Sequence, residues 1–309
     1  RMTIAINIIG HNNIYESAFL YYLYYTLPEF AKQHNTSRFV VIGNHNPFGD
    51  NLPDNISVVA IKEEVSKNPV KKLLYKNKVK KAFQRADSNT IVSTIDNYVY
   101  APKENTVIGV FNDVSNIPER KNNQLKNVLQ HCRSIFCLSE TISANIANRY
   151  NIEPSKLKVV HPIANTIPES LQDWKQHQNT KEKYTQGREF FLLIGTTTHI
   201  KELKTVLKAF SVFKKMQKST MPLVIVEKGL DEHAVAEIIK KYKYKDDVIC
   251  INEPDEATTL KINAAAYACI EHSSHNLFAT LQCLALNVPV ISLKSLSSKE
   301  LFGDAVVYT

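Results

Sequence analysis

Two short stretches hold the residues best suited to chemistry. In the first, the apolar run Phe190-Phe191-Leu192-Leu193-Ile194 ends in Gly195, and Thr196, Thr197, Thr198, His199 and Ile200 lead to Lys201 at the start of a helical pattern. A glycine at a strand end lets backbone approach a ligand, and a helix start presents free N–H groups and the positive end of the peptide dipoles. Lys201 adds a compact positive charge, so the pattern suits a diphosphate. The second stretch, Ser273 to Ile291, reads as loop, helix and strand, closing on Asn287-Val288-Pro289-Val290-Ile291. Its loop residues Ser274, His275, Asn276 and Leu277 bring polar side chains and backbone N–H groups, and Gln282 in the following helix can both accept and donate. A smaller group, Asn112-Asp113, follows the apolar run that ends in Val110-Phe111. Asn112 is a neutral donor and acceptor, whereas Asp113 either caps the next turn or meets a substrate.

Several other chemistries lack their residues. Only Gly10-His11-Asn12-Asn13 follows the first apolar run, so the glycine fingerprint of a dinucleotide site is absent. The chain has no G-x-x-x-x-G-K-[ST] phosphate loop and no G-x-S-x-G nucleophile elbow. The five cysteines (Cys132, Cys137, Cys250, Cys269, Cys283) form no C-x-x-C pair, and no His/Cys cluster has zinc spacing. Most of them lie in apolar patterns and read as reduced, packed small hydrophobes.

The elements that must carry these residues follow from the alternation of short apolar runs with helical ones. Strands are expected at 3–9, 38–42, 56–61, 90–95, 106–111, 134–138 and 157–161, with helices between them at about 15–33, 70–85, 119–131 and 140–150. After a polar stretch the alternation restarts, with strands at 190–194, 223–227, 248–252, 268–271 and 288–293. That pattern predicts an α/β protein of two parallel-sheet domains, 1–164 and 189–309, joined by a connection over 165–188, with a ligand expected between them. At 44% hydrophobic and 22% charged residues the chain is globular, and no run reaches the ~18 apolar residues of a membrane span. No cleavable signal pattern is visible at the N-terminus, so a cytoplasmic place is expected.

The net charge of +8 is concentrated between Lys67 and Phe83, which hold seven lysines with no acid from Val65 to Ala86. Val70, Leu73 and Leu74 follow helical spacing there, so the segment reads as an amphipathic helix with a basic face. Such a face is either simply solvated or drawn to an anionic membrane surface, peripherally on its inner side. With no recognised module, Arg-rich stretch or aromatic platform, nucleic acid is not the expected partner.

Taken together, the Gly195–Lys201 loop, the Ser274–Gln282 segment, Asn112-Asp113, Cys137-Leu138-Ser139-Glu140 and the Val-Pro-Val-Ile strand resemble family 4 (group 1) glycosyltransferases of the GT-B fold. The resemblance is weak before Thr90 and stronger after Ser134. It implies two Rossmann-like domains facing a cleft, the first taking the acceptor and the second the donor nucleotide. It also implies retaining transfer from a nucleoside diphosphate sugar, a UDP- or GDP-sugar, to a glycan or lipid acceptor, with no metal or other cofactor. On this likeness Gly195, Thr196 and Lys201 hold the diphosphate. Family members carry two glutamates with seven residues between them, and here those places are Ser274 and Gln282, while His275-Asn276-Leu277 stands for Gly-Phe-Gly. Ser274 would face the donor sugar, Gln282 the donor ribose, and Asn112 occupies the place of a histidine near sugar and acceptor. The altered motif leaves open a noncatalytic sugar-nucleotide-binding or partner protein and, with less support, a sugar-nucleotide epimerase. Gly303 to Tyr308 resembles the family's last conserved strand, and the helices that usually follow are expected to be missing.

Overall fold

The computed structural model describes residues 2–11, 17–49, 51–62, 69–95, 105–111, 114, 117, 119–162, 168–194, 200–227, 232–252, 254–271 and 277–309. It divides into two compact units, Arg1–Pro162 and Ile163–Thr309.

The first unit runs β1 (Thr3–Asn7), α1 (Ala18–Gln33), β2 (Arg38–Gly43), β3 (Ile56–Ala60), α2 (Pro69–Ala86), β4 (Thr90–Thr94), β5 (Thr106–Val110), α3 (Glu119–His131), β6 (Ser134–Cys137), α4 (Glu140–Tyr150) and β7 (Leu157–Val159). Its seven strands form one sheet in the order β3-β2-β1-β4-β5-β6-β7, every neighbouring pair parallel. Strands covered by helices on both faces carry near-continuous apolar runs, and β2 does so with Phe39, Val40, Val41 and Ile42 all buried. Local chemistry sets the helix ends. The Ser139 hydroxyl accepts from the Ile142 N–H to start α4, and Asn151 ends it in the left-handed region at φ 53°.

Val70, Leu73 and Leu74, the apolar residues whose helical spacing marks α2, are 62%, 60% and 56% exposed. The stripe that meets the core is instead Val79, Phe83 and Ala86, with Tyr75 and Ala82 partly buried beside it.

The second unit runs α5 (Trp174–Thr185), β8 (Phe191–Ile194), α6 (Ile200–Gln217), β9 (Leu223–Glu227), α7 (Glu232–Lys240), β10 (Val248–Asn252), α8 (Glu256–Ala265), β11 (Ala268–Glu271), α9 (Leu277–Ala285), β12 (Val290–Ser292), α10 (Leu296–Phe302) and β13 (Val307–Tyr308). Its six-stranded parallel sheet has the order β10-β9-β8-β11-β12-β13. The polar stretch expected as a connection contains α5, which Asp173 caps at the Lys175 N–H and which packs on α8. Its buried Lys181 is neutralised by Glu189 at 2.6 Å. Lys214, also buried, reaches Asp247 at 2.9 Å and donates to the Ser219 carbonyl, tying the end of α6 to the turn before β10. No helix among the described residues is long and apolar enough to cross a membrane.

Candidate functional site

In an open parallel sheet, ligands bind outside the carboxyl ends of the strands at the point where strand order reverses. The order of the second sheet places that point between β8 and β11. Leu193 pairs with Ile270, so the two strands end side by side at Ile194 and Glu271. From these adjacent ends the chain continues through 195–199 to α6 and through 272–276 to α9. The topology therefore brings to one sheet edge the two stretches that the sequence singled out, although they lie far apart in the chain. The amino ends of α6 and α9 are at this same edge, each with first-turn N–H groups that have no partner within their own helix.

Gly195, Thr196, Ser274, His275 and Asn276 belong to those segments and lie outside the described residues. Lys201 is the second residue of α6, within its first turn. Leu277, at the start of α9, has a buried side chain. Gln282 is 4% exposed, and its Oε1 accepts from Asn263 Nδ2 of α8 at 2.7 Å. One acceptor position of the amide expected to meet a ribose is thus engaged within the unit. Asn263 Oδ1 is buried with no partner among the described residues.

Sequence reading left Glu271 without a role. It ends β11 at the reversal point, buried, with its carboxylate accepting from the Ser292 hydroxyl at 2.5 Å. The available signal was an acid closing the apolar run Ala-Cys-Ile-Glu; its partner, on the next strand of the sheet, could not be read from the sequence.

In the first sheet the order reverses between β1 and β4. Buried polar side chains gather there. Asn7 Nδ2 donates to Ser93 Oγ at 3.1 Å, and the Asn7 oxygen accepts the Ile9 N–H. His11, 8% exposed, lies 2.7 Å from Ser17 Oγ through Nδ1 and 3.1 Å from Thr94 Oγ1 through Nε2, with its ring edge-on to Phe19. Ser17 Oγ already accepts the Leu20 N–H as the cap of α1, so its proton is available to Nδ1. The consistent tautomer then carries its proton on Nε2 and donates to Thr94. Burial alone pushes the His11 pKa down to about 4, which keeps the ring neutral. Asn112 and Asp113 follow β5, whose Gly109 pairs with Thr94, but both lie outside the described residues.

The cysteines behave as packed hydrophobes. All but Cys250 are buried, and burial pushes Cys132 up to about 11 and Cys137 up to about 12. Among the described residues no group of three or more His, Cys, Asp or Glu side chains could hold a metal ion.

Residues 174–308 match the family described as glycosyl transferases group 1. No curated protein sequence matches the chain. Among solved structures, Anabaena HepE in complex with UDP-glucose is similar at a TM-score of 0.72 and 13% identity, over 100% of this chain and 85% of that one. WaaG, a glycosyltransferase involved in lipopolysaccharide biosynthesis, is similar at 0.67 and 11% identity over 94% and 80%. The UDP-GlcNAc 2-epimerase of Methanocaldococcus jannaschii is similar at 0.55 and 13% identity over 100% and 88%. At such identities these likenesses establish the fold.

Proposed function

We propose, from the match of residues 174–308 to the group 1 glycosyltransferases and the GT-B likeness of the two parallel-sheet units, that this chain is a retaining transferase moving a sugar from a nucleoside diphosphate sugar to a glycan or lipid acceptor. The carrying observation is that the loops holding Gly195 and Ser274 leave adjacent strand ends at the reversal point of the second sheet, each leading into a helix start.

In this reading the diphosphate of a UDP- or GDP-sugar lies against the first turns of α6 and α9. Gly195 and Thr196 allow its close approach, while Lys201 and the N–H groups of the helix starts meet the negative charge that develops as the diphosphate leaves. Ser274, His275, Asn276 and the Leu277 N–H bound the donor sugar. Gln282 stands at the place that meets the donor ribose. The first unit supplies the acceptor side, with Asn112 and Asp113 following β5 on the edge that also holds His11. A lipid acceptor would give the enzyme a cytoplasmic place, peripheral to an anionic membrane face.

The change of both family glutamates to Ser274 and Gln282 favours a second reading, a noncatalytic sugar-nucleotide-binding or partner protein. The assay that separates them is donor-dependent release of nucleoside diphosphate across a panel of sugar nucleotides and acceptors. Release with sugar transfer supports the transferase. Nucleotide binding with no turnover supports the binder, and interconversion of sugar nucleotides without an acceptor would mark an epimerase instead.

A further inference from the structure

Helix α2 presents an arrangement that a merely solvated basic helix does not need. Successive residues of an α-helix are ~100° apart around its axis. Val79, Phe83 and Ala86 face the core, and by that spacing the opposite side is occupied by Val70, Leu73 and Leu74. Their exposures, 62%, 60% and 56%, agree with an outward direction. Lys71 and Lys78 flank this apolar group on one side, Lys76 and Lys80 flank it on the other, and Lys81 continues its line two turns further on. All five lysines are exposed, and no acid interrupts the helix. Lys71, Lys78, Lys80 and Lys81, with Leu74 and Tyr75, help line a surface recess of about 520 Å³.

The helix is firmly seated. Its Tyr75 hydroxyl accepts from Asn44 Nδ2, which also donates to the Ile61 carbonyl, and Asn44 Oδ1 accepts the Gly10 N–H. The apolar group is therefore held outward by a fixed body.

We propose that α2 is the face by which this protein docks on an anionic lipid bilayer. Val70, Leu73 and Leu74 enter the interfacial layer, and the lysines on both sides meet lipid phosphates. A helix lying in the plane of the interface, with apolar side chains inward and lysines at the margins, matches this distribution. Nucleic acid or an acidic protein would use the lysines but leaves the outward apolar group unexplained. The proposal rests on the lipid-acceptor reading only for its biological purpose.

The test uses the whole chain with phosphatidylcholine vesicles, with and without phosphatidylglycerol, in a flotation assay. Binding is expected only to the anionic vesicles and should weaken as salt rises. The variant Val70→Ser/Leu73→Ser/Leu74→Ser should bind roughly tenfold or more weakly with an unchanged circular dichroism spectrum. In a Trp174→Phe background, Leu74→Trp emission should shift to the blue on anionic vesicles. Wild-type protein that stays unbound at low salt, equal binding by the triple serine variant, or an unshifted Trp emission would each overturn the proposal. Binding to a DNA duplex as tight as to anionic vesicles would also overturn it, in favour of a nonspecific basic face. Nucleotide binding measured on the same samples without vesicles keeps the outcomes apart, since its loss would count against the transferase reading and not against the docking face.

Discussion

His11 makes the folded state of the first unit sensitive to acid. Above pH 6.5 the ring is neutral in both folded and unfolded chains and contributes no difference. As the pH falls below 6.5 the unfolded chain takes up a proton, whereas burial holds the folded His11 pKa near 4 and keeps the ring neutral. Stability is therefore fully present above pH 6.5 and is lost as the pH falls toward 4. From the ordinary 6.5 to about 4, at ~1.4 kcal/mol per pH unit, the loss amounts to ~3 kcal/mol. Replacing the ring by Gln removes this dependence and also two hydrogen bonds, each worth about 1 kcal/mol. His11→Gln should thus be less stable than wild type at pH 7.5, with the gap narrowing as the pH approaches 4. Urea denaturation from pH 7.5 to 4 reads this directly. Trp174, the chain's one tryptophan, is in the second unit and serves as an internal reference, while near-ultraviolet dichroism of the tyrosines on α1 reports on the first. Carboxylates titrating in the same range act on both proteins and cancel in the difference. A constant gap between wild type and variant across this range, or an NMR titration of the His11 ring at 6.5, would refute the reasoning.

Two further outcomes follow from the second unit. Gln282→Leu should destabilise the protein by ~1–3 kcal/mol, because Asn263 would lose the partner of its buried amide, and a paired Asn263→Leu change should recover part of that loss; additive losses in denaturant midpoints would contradict the pairing. Asn287 sits in the left-handed region at φ 61°, so Asn287→Gly should be tolerated while Asn287→Val should lower stability by ~1–2 kcal/mol, a difference that thermal melts resolve.

Much of this fold was legible in the sequence, because strands covered on both faces carry uninterrupted apolar runs. The run Phe39 to Ile42 and the run Leu223 to Val226 could each be read directly, and every strand observed lies within or close to its expected span. Helix α5 was not legible. Its buried positions are Thr180, Lys181 and Thr185, and of its two aromatic side chains Trp174 is exposed and Tyr184 only half-buried, so no apolar stripe marks it. The orientation of α2 misleads for a related reason: its outward residues are larger and more apolar than the alanines of its core stripe. At the candidate site, the loop residues were visible as types and spacing, but the pairs were not. His11 with Thr94 and Glu271 with Ser292 are joined only by neighbouring parallel strands, at separations of 83 and 21 residues. Gln282 shows the same limit, since its place in a helix pattern says nothing of Asn263 on the helix before.

The central claim, that the β8–β11 edge holds the diphosphate of a sugar nucleotide, is tested most directly by calorimetric titration of the full chain with UDP and GDP, beside Lys201→Ala. The account predicts that one of the two nucleotides binds the wild-type protein and that the variant binds it more weakly by about 1.5–3 kcal/mol, the worth of a hydrogen bond to a charged group. Equal affinity in the two proteins, or no binding of either nucleotide to wild type, would contradict it.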